Sequence, residues 1–403
     1  MKPAKHVAFV APFLQPQTIR YLETFARLPG CVLSVLTQDN PKKLPASLSE
    51  CKVVMLKDCT QPEDLVRAVR QVGAVDRLLS PLEQLQVPVA EAREALQIPG
   101  LHRQAAVNFR DKDQMKAVLR QAGLPVAASQ LATSAQQIRQ FGAEHGYPII
   151  VKPPDGLGAK ATYRINAESE LASVVRQLNP SPEQPIQVEE FITGQERTFE
   201  TISIQGTPVW WSGTRYFPGP LTVLENPWMQ YCVLLPRESD AHFESFKTIN
   251  FRALQALGQQ TGLSHMEWFL REDGRAVISE VGARPPGVQI MPLMSTVFEV
   301  DMIAAWAKLM VHDQFEPRAR KWAAGVAFFR GSGPGSRVVR VDGLDKAQAR
   351  AGEWVVDRSL PAVGMLRGSG YEGEGWAIVR HPTTEGAMAA LKALVEDVRV
   401  IYG

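Results

Sequence analysis

Two glutamates, Glu267 and Glu280, lie in a stretch of sequence whose pattern predicts a β-hairpin. The apolar runs HMEWFL and RAVISEV flank Asp273-Gly274, and Asp-Gly between two such runs is a strong signal for a tight turn. If the loop consists of these two residues, Glu272 faces Arg275 across the turn. Counting back along both strands then places Glu267 directly opposite Glu280, on the same face of the hairpin.

The opposed carboxylates of this hairpin would repel each other, because directly opposite side chains have Cβ atoms only about 5 Å apart. With no His or Cys ligand expected nearby, Glu267 and Glu280 favour a hard cation such as Mg²⁺ or Mn²⁺ between them. A solvated glutamate pair on an edge hairpin is the alternative. Arg284 follows in the rigid segment Gly-Ala-Arg-Pro-Pro-Gly, where it would hold a positive charge beside the metal, as phosphoryl transfer requires.

A glutamate on one strand, a glutamate on the next and an arginine a few residues later resemble the metal-binding end of the ATP-grasp superfamily, of the biotin-carboxylase-like or carboxylate–amine ligase type. The resemblance implies that Glu267 and Glu280 hold the metal of a bound nucleotide and that Arg284 is catalytic. One position departs from the pattern. Many members have Asn two residues after the second metal-binding Glu, where this chain has Gly282, so one metal ion and two metal ions both stay open.

The segment GYPIIVK predicts a buried strand that ends in Lys152, followed by the loop PPDGLGAK. A lysine at a strand end, followed by glycines whose N–H groups can approach phosphate oxygens, suits polyphosphate binding. The strand is similar to the one that carries the phosphate-binding lysine in ATP-grasp proteins. By that resemblance Lys152 is both phosphate-binding and catalytic, and Gly156 and Gly158 belong to the phosphate loop.

A helix is predicted from Asn108 to Gly123, with Asp111 as its N-cap and Gln114 three residues later. Lys112 and Lys116 lie one turn apart on one face of this helix. A solvated helix surface would explain both lysines. However, a similar Asp-Lys pair opens the nucleotide-binding region of ATP-grasp proteins, and the resemblance implies that Lys112 reaches a phosphate.

The segment PIQVEEFI at 185–192 predicts another strand, and TGQE follows it. On its own this segment fits a strand and turn with outward charges. It also resembles the ATP-grasp hinge that joins the lid to the rest of the protein. The resemblance implies that Glu189, Glu190 and Ile192 lie around the adenine and that Glu196 binds the ribose hydroxyls.

The elements that carry these residues predict a mixed α/β and α+β protein. Strands and helices alternate near the N-terminus, which predicts a doubly wound parallel sheet, and no GxGxxG fingerprint follows the first strand. We therefore expect a Rossmann-like domain at 1–108 that serves as a scaffold. The resemblance implies an ATP-grasp domain at 109–318, with a lid at about 125–190, and a small α+β C-terminal domain at 319–403.

Composition limits the partners and the compartment. The formal net charge is +2 and no Lys/Arg block stands out, so we expect neither nucleic acid nor an anionic membrane as a partner. The 4 cysteines follow no metal-ligand or disulfide pattern, which indicates a reduced, cytoplasmic protein. No run of about 18 apolar residues is present, and the first apolar run, HVAFVA, is predicted to be a buried strand rather than part of a signal peptide.

The region from Trp210 to Arg237 is rich in aromatic residues, and Arg215 lies among them. It fits half-buried strands of the core. It also fits the wall of an acceptor-substrate pocket, since convergent polar groups among aromatic side chains are typical of small-molecule sites.

The resemblance implies an enzyme that binds Mg-ATP, phosphorylates a small-molecule carboxylate and couples the acyl phosphate to an amine, releasing ADP and phosphate. An ATP-dependent carboxylase of the biotin-carboxylase or purine-biosynthetic type is the alternative. Against it, the residues after Arg284 lack the Gln-Val-Glu-His-Pro-like run of biotin carboxylases, and no biotinyl Met-Lys-Met segment is present. The full set of charged residues disfavours a regulator that has lost catalysis. A homodimer is left open as the assembly.

Overall fold

Four parallel strands open the chain in the computed structural model, which describes residues 3–154, 162–226, 228–368, 370 and 372–403. These strands are β1 (Lys5–Val10), β2 (Cys31–Thr37), β3 (Lys52–Met55) and β4 (Arg77–Leu79). They pair in the order β3-β2-β1-β4. Residues 7–10 of the central strand are fully buried, as a parallel sheet with helices on both faces requires. The expected doubly wound α/β arrangement is confirmed.

Five helices belong to this part of the chain or follow it directly. They are α1 (Pro16–Ala26), α2 (Pro62–Val72), α3 (Gln86–Leu96), α4 (Arg103–Arg110) and α5 (Lys112–Gln121). The single helix predicted from Asn108 to Gly123 is wrong at its start, because Asn108 belongs to α4. Asp111 separates the two helices, and its Oδ1 accepts a hydrogen bond from the Gln114 amide at 2.8 Å, which confirms the N-cap.

A second sheet follows, flanked by α6 (Ala135–His145) and α7 (Leu171–Leu178). Its strands are β5 (Ser129–Ala132), β6 (Ile149–Lys152), β7 (Tyr163–Ile165) and β8 (Ile186–Glu190), in the order β5-β8-β6-β7. Ile149 and Val151 pack into the core of this layer beside Phe141. Because side chains alternate along a strand, Lys152 is delivered to the opposite face. This layer fills most of the range predicted for the lid.

The largest sheet combines strands from the middle and the end of the chain. They are β9 (Gln195–Ile204), β10 (Thr207–Ser212), β11 (Arg215–Phe217), β12 (Tyr231–Leu235), β13 (Gly262–Leu270), β14 (Ala276–Gly282), β15 (Ala323–Phe329), β18 (Val355–Ser359) and β19 (Gly375–His381). Their order is β14-β13-β9-β11-β12-β15-β19-β18, with β10 paired to β9. The associated helices are α8 (Pro220–Glu225), α9 (Ala241–Leu257), α10 (Ile290–Phe298) and α11 (Met302–His312). In the described parts of the chain, no single helix is long and apolar enough to cross a membrane.

The C-terminal segment shares this sheet. Tyr231 of β12 pairs with Phe328 of β15, so the strands after residue 319 extend the same sheet. The remaining strands, β16 (Gly331–Ser332), β17 (Val338–Asp342) and β20 (Arg399–Tyr402), form a small sheet in the order β16-β20-β17. Two helices, α12 (Leu344–Ala351) and α13 (Thr384–Asp397), accompany it. The predicted boundary at 319 therefore does not coincide with the edge of a sheet, and the domain limits stay a prediction.

The β13–β14 hairpin has a longer turn than the sequence predicts. The Arg271 amide donates a hydrogen bond to the Arg275 carbonyl at 2.9 Å, and the Gly274 amide donates to the Arg271 carbonyl at 3.0 Å. The loop therefore contains three residues, and the predicted pairing of Glu272 with Arg275 is wrong. Gly274 has φ +79°, a left-handed conformation that glycine adopts at little cost.

A bulge in β14 offsets the extra loop residue. Trp268 pairs with Ile278, whereas the preceding residue, Glu267, pairs with Glu280. Ser279 is the additional residue, and such a bulge shifts the register by one position. The predicted juxtaposition of Glu267 and Glu280 is confirmed, although the turn and the bulge that produce it were not predicted.

Candidate active site

One cavity of about 410 Å³ lies between α5, the strands β6 and β8, and the β13–β14 hairpin. It is lined by every predicted site residue that the structure describes: Lys112, Lys152, Glu189, Glu190, Ile192, Glu196, Glu267, Glu280 and Arg284. The predicted loop residues Gly156 and Gly158 lie outside the described residues. The lining side chains come from distant parts of the sequence, so the fold, and not a single motif, brings them together.

The two hairpin glutamates have different neighbours. The Glu267 Oε1 accepts a hydrogen bond from the Tyr216 hydroxyl at 3.2 Å, whereas the Glu280 Oε1 lies 3.1 Å from the Lys112 Nζ. Their side chains are 28% and 32% exposed, so both carboxylates reach the open space of the cavity. Within the described ranges, no group of three or more His, Cys, Asp or Glu side chains is arranged to hold a metal ion. A metal here would need further oxygen ligands from a nucleotide or water.

His265 lies beside this pair, which corrects the expectation that no histidine is near. Its Nδ1 lies 2.9 Å from the Glu200 Oε1, and its Nε2 lies 3.6 Å from the Glu267 Oε1. Burial acts to lower the pKa of His265, but hydrogen bonds to Glu200 and Glu267 and their charges raise it to about 9. The ring is therefore a cation at neutral pH. The signal in the sequence is the two-residue spacing from Glu267, which puts both side chains on one face of a strand.

A carboxylate between two lysines forms the opposite wall. The Glu189 carboxylate lies 2.6 Å from the Lys116 Nζ and 2.9 Å from the Lys152 Nζ. Burial acts to raise the pKa of Glu189, but the two ammonium groups outweigh it and lower this pKa to about 2. Burial lowers the pKa of Lys116 to about 8. Lys116, which lines the cavity, is thus a site residue that the prediction placed on the right helix face but did not select.

The end of β8, the link that follows it and the start of β9 carry the other residues predicted to bind the nucleotide. The Glu190 carboxylate accepts from Arg271 at 3.1 Å and from the Ala128 amide at 3.2 Å. Ile192 is buried and contributes an apolar wall. Burial, together with the charges of Glu267 and Glu280, raises the pKa of Glu196 well above its ordinary value.

Arg284 is held by a residue that sequence reasoning missed. Its Nε donates to the Glu83 Oε2 at 2.6 Å, across 201 positions of the chain. Glu83 follows the carboxyl end of β4, the edge of a parallel sheet where ligand sites concentrate, and that topological rule is the signal that could have found it. A Cβ at Gly282 would lie 3.2 Å from the Glu83 Oε2, so the Glu83–Arg284 pair fills the space that a larger residue at 282 would need.

Residues 117–288 match the family model of the ATP-grasp domain. The chain contains an ATP-grasp domain. An uncharacterized protein, y4rH, of Sinorhizobium fredii is 26% identical over 357 residues, which cover 85% of this chain and 72% of that protein. An L-amino acid ligase of Bacillus licheniformis has a similar structure, with TM-score 0.79, 23% identity and coverage of 100% of both chains. The biotin carboxylase domain of the Hydrogenobacter thermophilus 2-oxoglutarate carboxylase, in complex with MgADP, ADP and bicarbonate, has TM-score 0.69 at 13% identity, covering 99% of this chain and 91% of that one.

The fold of this chain is thus the one shared by ATP-grasp ligases and carboxylases. The matched range contains the strand that bears Lys152, the segment predicted to be the hinge and both hairpin glutamates. It starts after Lys112 and Lys116. The predictions of ATP-grasp recognition and of the fold class are confirmed.

Trp210 and Arg215 of the aromatic region lie away from the ATP-grasp cavity. The ring of Trp210 packs against Phe298 with centroids 4.9 Å apart. The Arg215 Nη2 lies 2.6 Å from the Asp240 Oδ2, and Asp240 also holds Arg197. Tyr216 contacts the site through its hydroxyl group on Glu267, and Pro220 and Leu221 line the cavity. The acceptor-pocket alternative is not supported for Trp210 or Arg215, since neither lines the cavity.

Proposed function

We propose that this chain is an ADP-forming carboxylate–amine ligase that uses Mg-ATP to phosphorylate a small-molecule carboxylate. The observation that carries the proposal is the convergence of Lys112, Lys152, Glu267, Glu280 and Arg284 in one cavity of an ATP-grasp fold. Positive groups around one end of a nucleotide site and carboxylates for a metal are what phosphoryl transfer requires.

The proposed metal ligands are Glu267 and Glu280, and their oxygen donors fit Mg²⁺ or Mn²⁺. Burial and the negative charges of Glu267 and Glu280 raise the pKa of Glu196, so a bound cation would stabilise this group of carboxylates. A bound metal would neutralise the terminal phosphates of ATP. Lys112, which now pairs with Glu280, would then be released toward a phosphate.

In this proposal Lys112 and Lys152 bind the phosphates, together with the loop that contains Gly156 and Gly158. Glu189, Glu190 and Ile192 lie around the adenine, and Glu196 binds the ribose. The MgADP and ADP in the structurally similar biotin carboxylase domain support nucleotide binding by this fold.

Arg284, fixed by Glu83, would steady the transferred phosphoryl group. The substrate carboxylate attacks the γ-phosphorus, the bond from that phosphorus to the β–γ bridging oxygen breaks, and ADP leaves. The amine then attacks the acyl carbon and phosphate leaves, so one ATP gives one ADP and one phosphate per amide bond. We expect small-molecule partners, no nucleic acid and no membrane, in the cytoplasm.

The experiment is a screen of pooled carboxylic acids and amines for nucleotide and phosphate release. We expect slow ADP formation with the correct acid alone and much faster formation with acid and amine together. AMP as the main product would overturn the proposal. ADP formation that needs bicarbonate but no amine would replace the ligase with a carboxylase.

A further inference from the structure

The active-site cavity extends to the N-terminal sheet, at the place where the strand order reverses. The order β3-β2-β1-β4 puts β2 on one side of β1 and β4 on the other. Open parallel sheets bind ligands in the crevice outside the carboxyl ends of two such neighbouring strands. Residues that follow both strands line the cavity: Gln17, Thr18 and Tyr21 after β1, and Pro81, Leu82 and Glu83 after β4. Together with residues 284–288, they form what we call the crevice wall.

The crevice wall is separate from the wall proposed for adenine. Tyr21 and Val288 belong to one hydrophobic cluster, which also contains Phe9 of β1. Ile192 belongs to a different cluster, together with Ala127. The two walls of the cavity are thus built on different cores. A nucleotide held at the second wall leaves the crevice wall without an assigned ligand.

The crevice wall offers no unpaired charge. Among its described residues, Glu83 and Arg284 are the charged ones, and they pair with each other at 2.6 Å. Leu82 and Thr18 lie half-buried on this wall, and Tyr21 is buried there. Burying a charge without a partner is costly, whereas burying an apolar group is favourable. The wall therefore suits an uncharged, mainly apolar group.

The backbone of the crevice wall is strained at one turn. Val288 has φ +48° and Gln289 has φ +59°, and a β-branched residue such as valine rarely adopts this left-handed conformation. Val288 also lines the cavity. Residues held in unfavourable backbone conformations cluster at ligand sites, where a particular shape is needed. The strained turn is thus a second, independent indication that this wall contacts a ligand.

We propose that the crevice wall binds the carboxylic acid substrate and selects an acid whose side group is uncharged and mainly apolar. The side group is here the part beyond the carboxylate and any α-amino group. The inference rests on the proposed function, which places the γ-phosphate beside Arg284. The carboxylate of the acid would lie next to that phosphate, and its side group would contact Leu82, Tyr21 and Val288. An aliphatic acid and the corresponding α-amino acid both meet these requirements.

The test compares acids that differ at the end far from the reacting carboxylate. One series is 4-methylpentanoate, glutarate and 6-aminohexanoate, and the other is leucine, glutamate and lysine. Each acid is given to the full chain with Mg-ATP and hydroxylamine, a small amine that attacks the acyl carbon of an acyl phosphate and releases phosphate. We expect kcat/KM for ADP formation to be at least about tenfold higher for 4-methylpentanoate or leucine than for the charged acids of its series. The series that reacts distinguishes a simple acid from an amino acid.

Two outcomes separate this inference from the proposed function. ADP formation that is as fast or faster with the charged acids would overturn the inference and leave the ligase proposal in place. ADP formation with none of the six acids would also overturn the inference, and the pooled screen would decide the ligase proposal separately.

Variants assign the selectivity to the crevice wall. Leu82→Arg adds a cation there and should raise kcat/KM for glutarate or glutamate, relative to the apolar acid, about tenfold or more through a charge-assisted hydrogen bond. Gln17→Arg, at an exposed position of the same wall, should act in the same direction and decides the matter if Leu82→Arg unfolds. Leu131→Arg, at an exposed leucine outside the cavity, is the matched control and should leave the ratio unchanged. An unchanged ratio in every folded variant of the crevice wall would overturn the inference.

Discussion

Glu267 and Glu280 face each other across the hairpin, yet their carboxylates have different partners. Glu267 is fixed by Tyr216 and by the charged ring of His265, whereas Glu280 is paired with Lys112. A metal could therefore bind the oriented Glu267 carboxylate and displace Lys112 from Glu280. These partners offset the repulsion between the two opposed carboxylates.

The first prediction concerns the metal. Glu267→Gln and Glu280→Gln should each reduce Mg²⁺-dependent ADP formation by about 100-fold or more, because each removes a proposed metal ligand. Both proteins should remain folded by circular dichroism. Glu353→Gln, a change at an exposed glutamate outside the cavity, is the control. If both variants formed ADP at the wild-type rate, Glu267 and Glu280 would be a solvated glutamate pair and not metal ligands.

A second prediction at this scale concerns the pH dependence of stability. The folded-state pKa of His265, about 9, lies above its ordinary value of 6.5, so its contribution is fully present below pH 6.5 and is lost as pH rises through about 9. Urea unfolding of the wild type and of His265→Gln at about pH 6 and about pH 10 measures this contribution to the free energy of unfolding. The wild type should lose on the order of 3 kcal/mol more than the variant. Parallel losses would show that His265 does not titrate in this way.

At the scale of elements, α5 positions two of the lysines because it starts at a defined residue. Asp111 caps the helix, and Lys112 and Lys116 follow in the first two turns, where both residues line the cavity. The N-cap thus fixes where the positive charges begin along the helix.

Asp111→Ala should lower the free energy of unfolding by about 1 kcal/mol, since an uncapped amide at a helix N-terminus costs about that much. Asp111→Ser, which keeps a capping oxygen, should recover most of the loss. Urea denaturation of both variants provides the comparison. Equal stabilities of the alanine and serine variants would argue against a capping role.

Across the whole molecule, the Glu83–Arg284 pair joins the N-terminal sheet to the ATP-grasp domain. Glu83→Gln keeps the size of the side chain but removes the charge that orients Arg284. We expect the rate of ADP formation to fall about tenfold or more, while ATP affinity by calorimetry stays unchanged. Glu91→Gln, which removes a charge paired with Arg103 at the surface, is the matched control. A loss of ATP affinity equal to the loss of rate would place Glu83 in nucleotide binding instead.

The site residues that could be predicted lie in short segments whose own sequence indicates a helix, strand or turn. The Asp111 cap, the Lys152 strand and the Glu267–Glu280 hairpin each lie in a short segment whose period or turn residues predict an element. Glu83 could not be found in this way, because its partner lies 201 positions away. The three-residue turn and the Ser279 bulge were not predicted either. Their register shifts cancel at Glu280, so a two-residue turn without a bulge gives the same pairing of Glu267 with Glu280.

The central claim is that a carboxylate attacks the γ-phosphorus of ATP in the cavity that holds Lys152 and Arg284. The most direct measurement uses the acid found by the screen, labelled with ¹⁸O in its carboxylate, together with its amine and Mg-ATP. We predict ADP and inorganic phosphate as products, with one ¹⁸O transferred from the acid to the phosphate. Label in AMP, or phosphate that carries no ¹⁸O from the acid, would contradict the account.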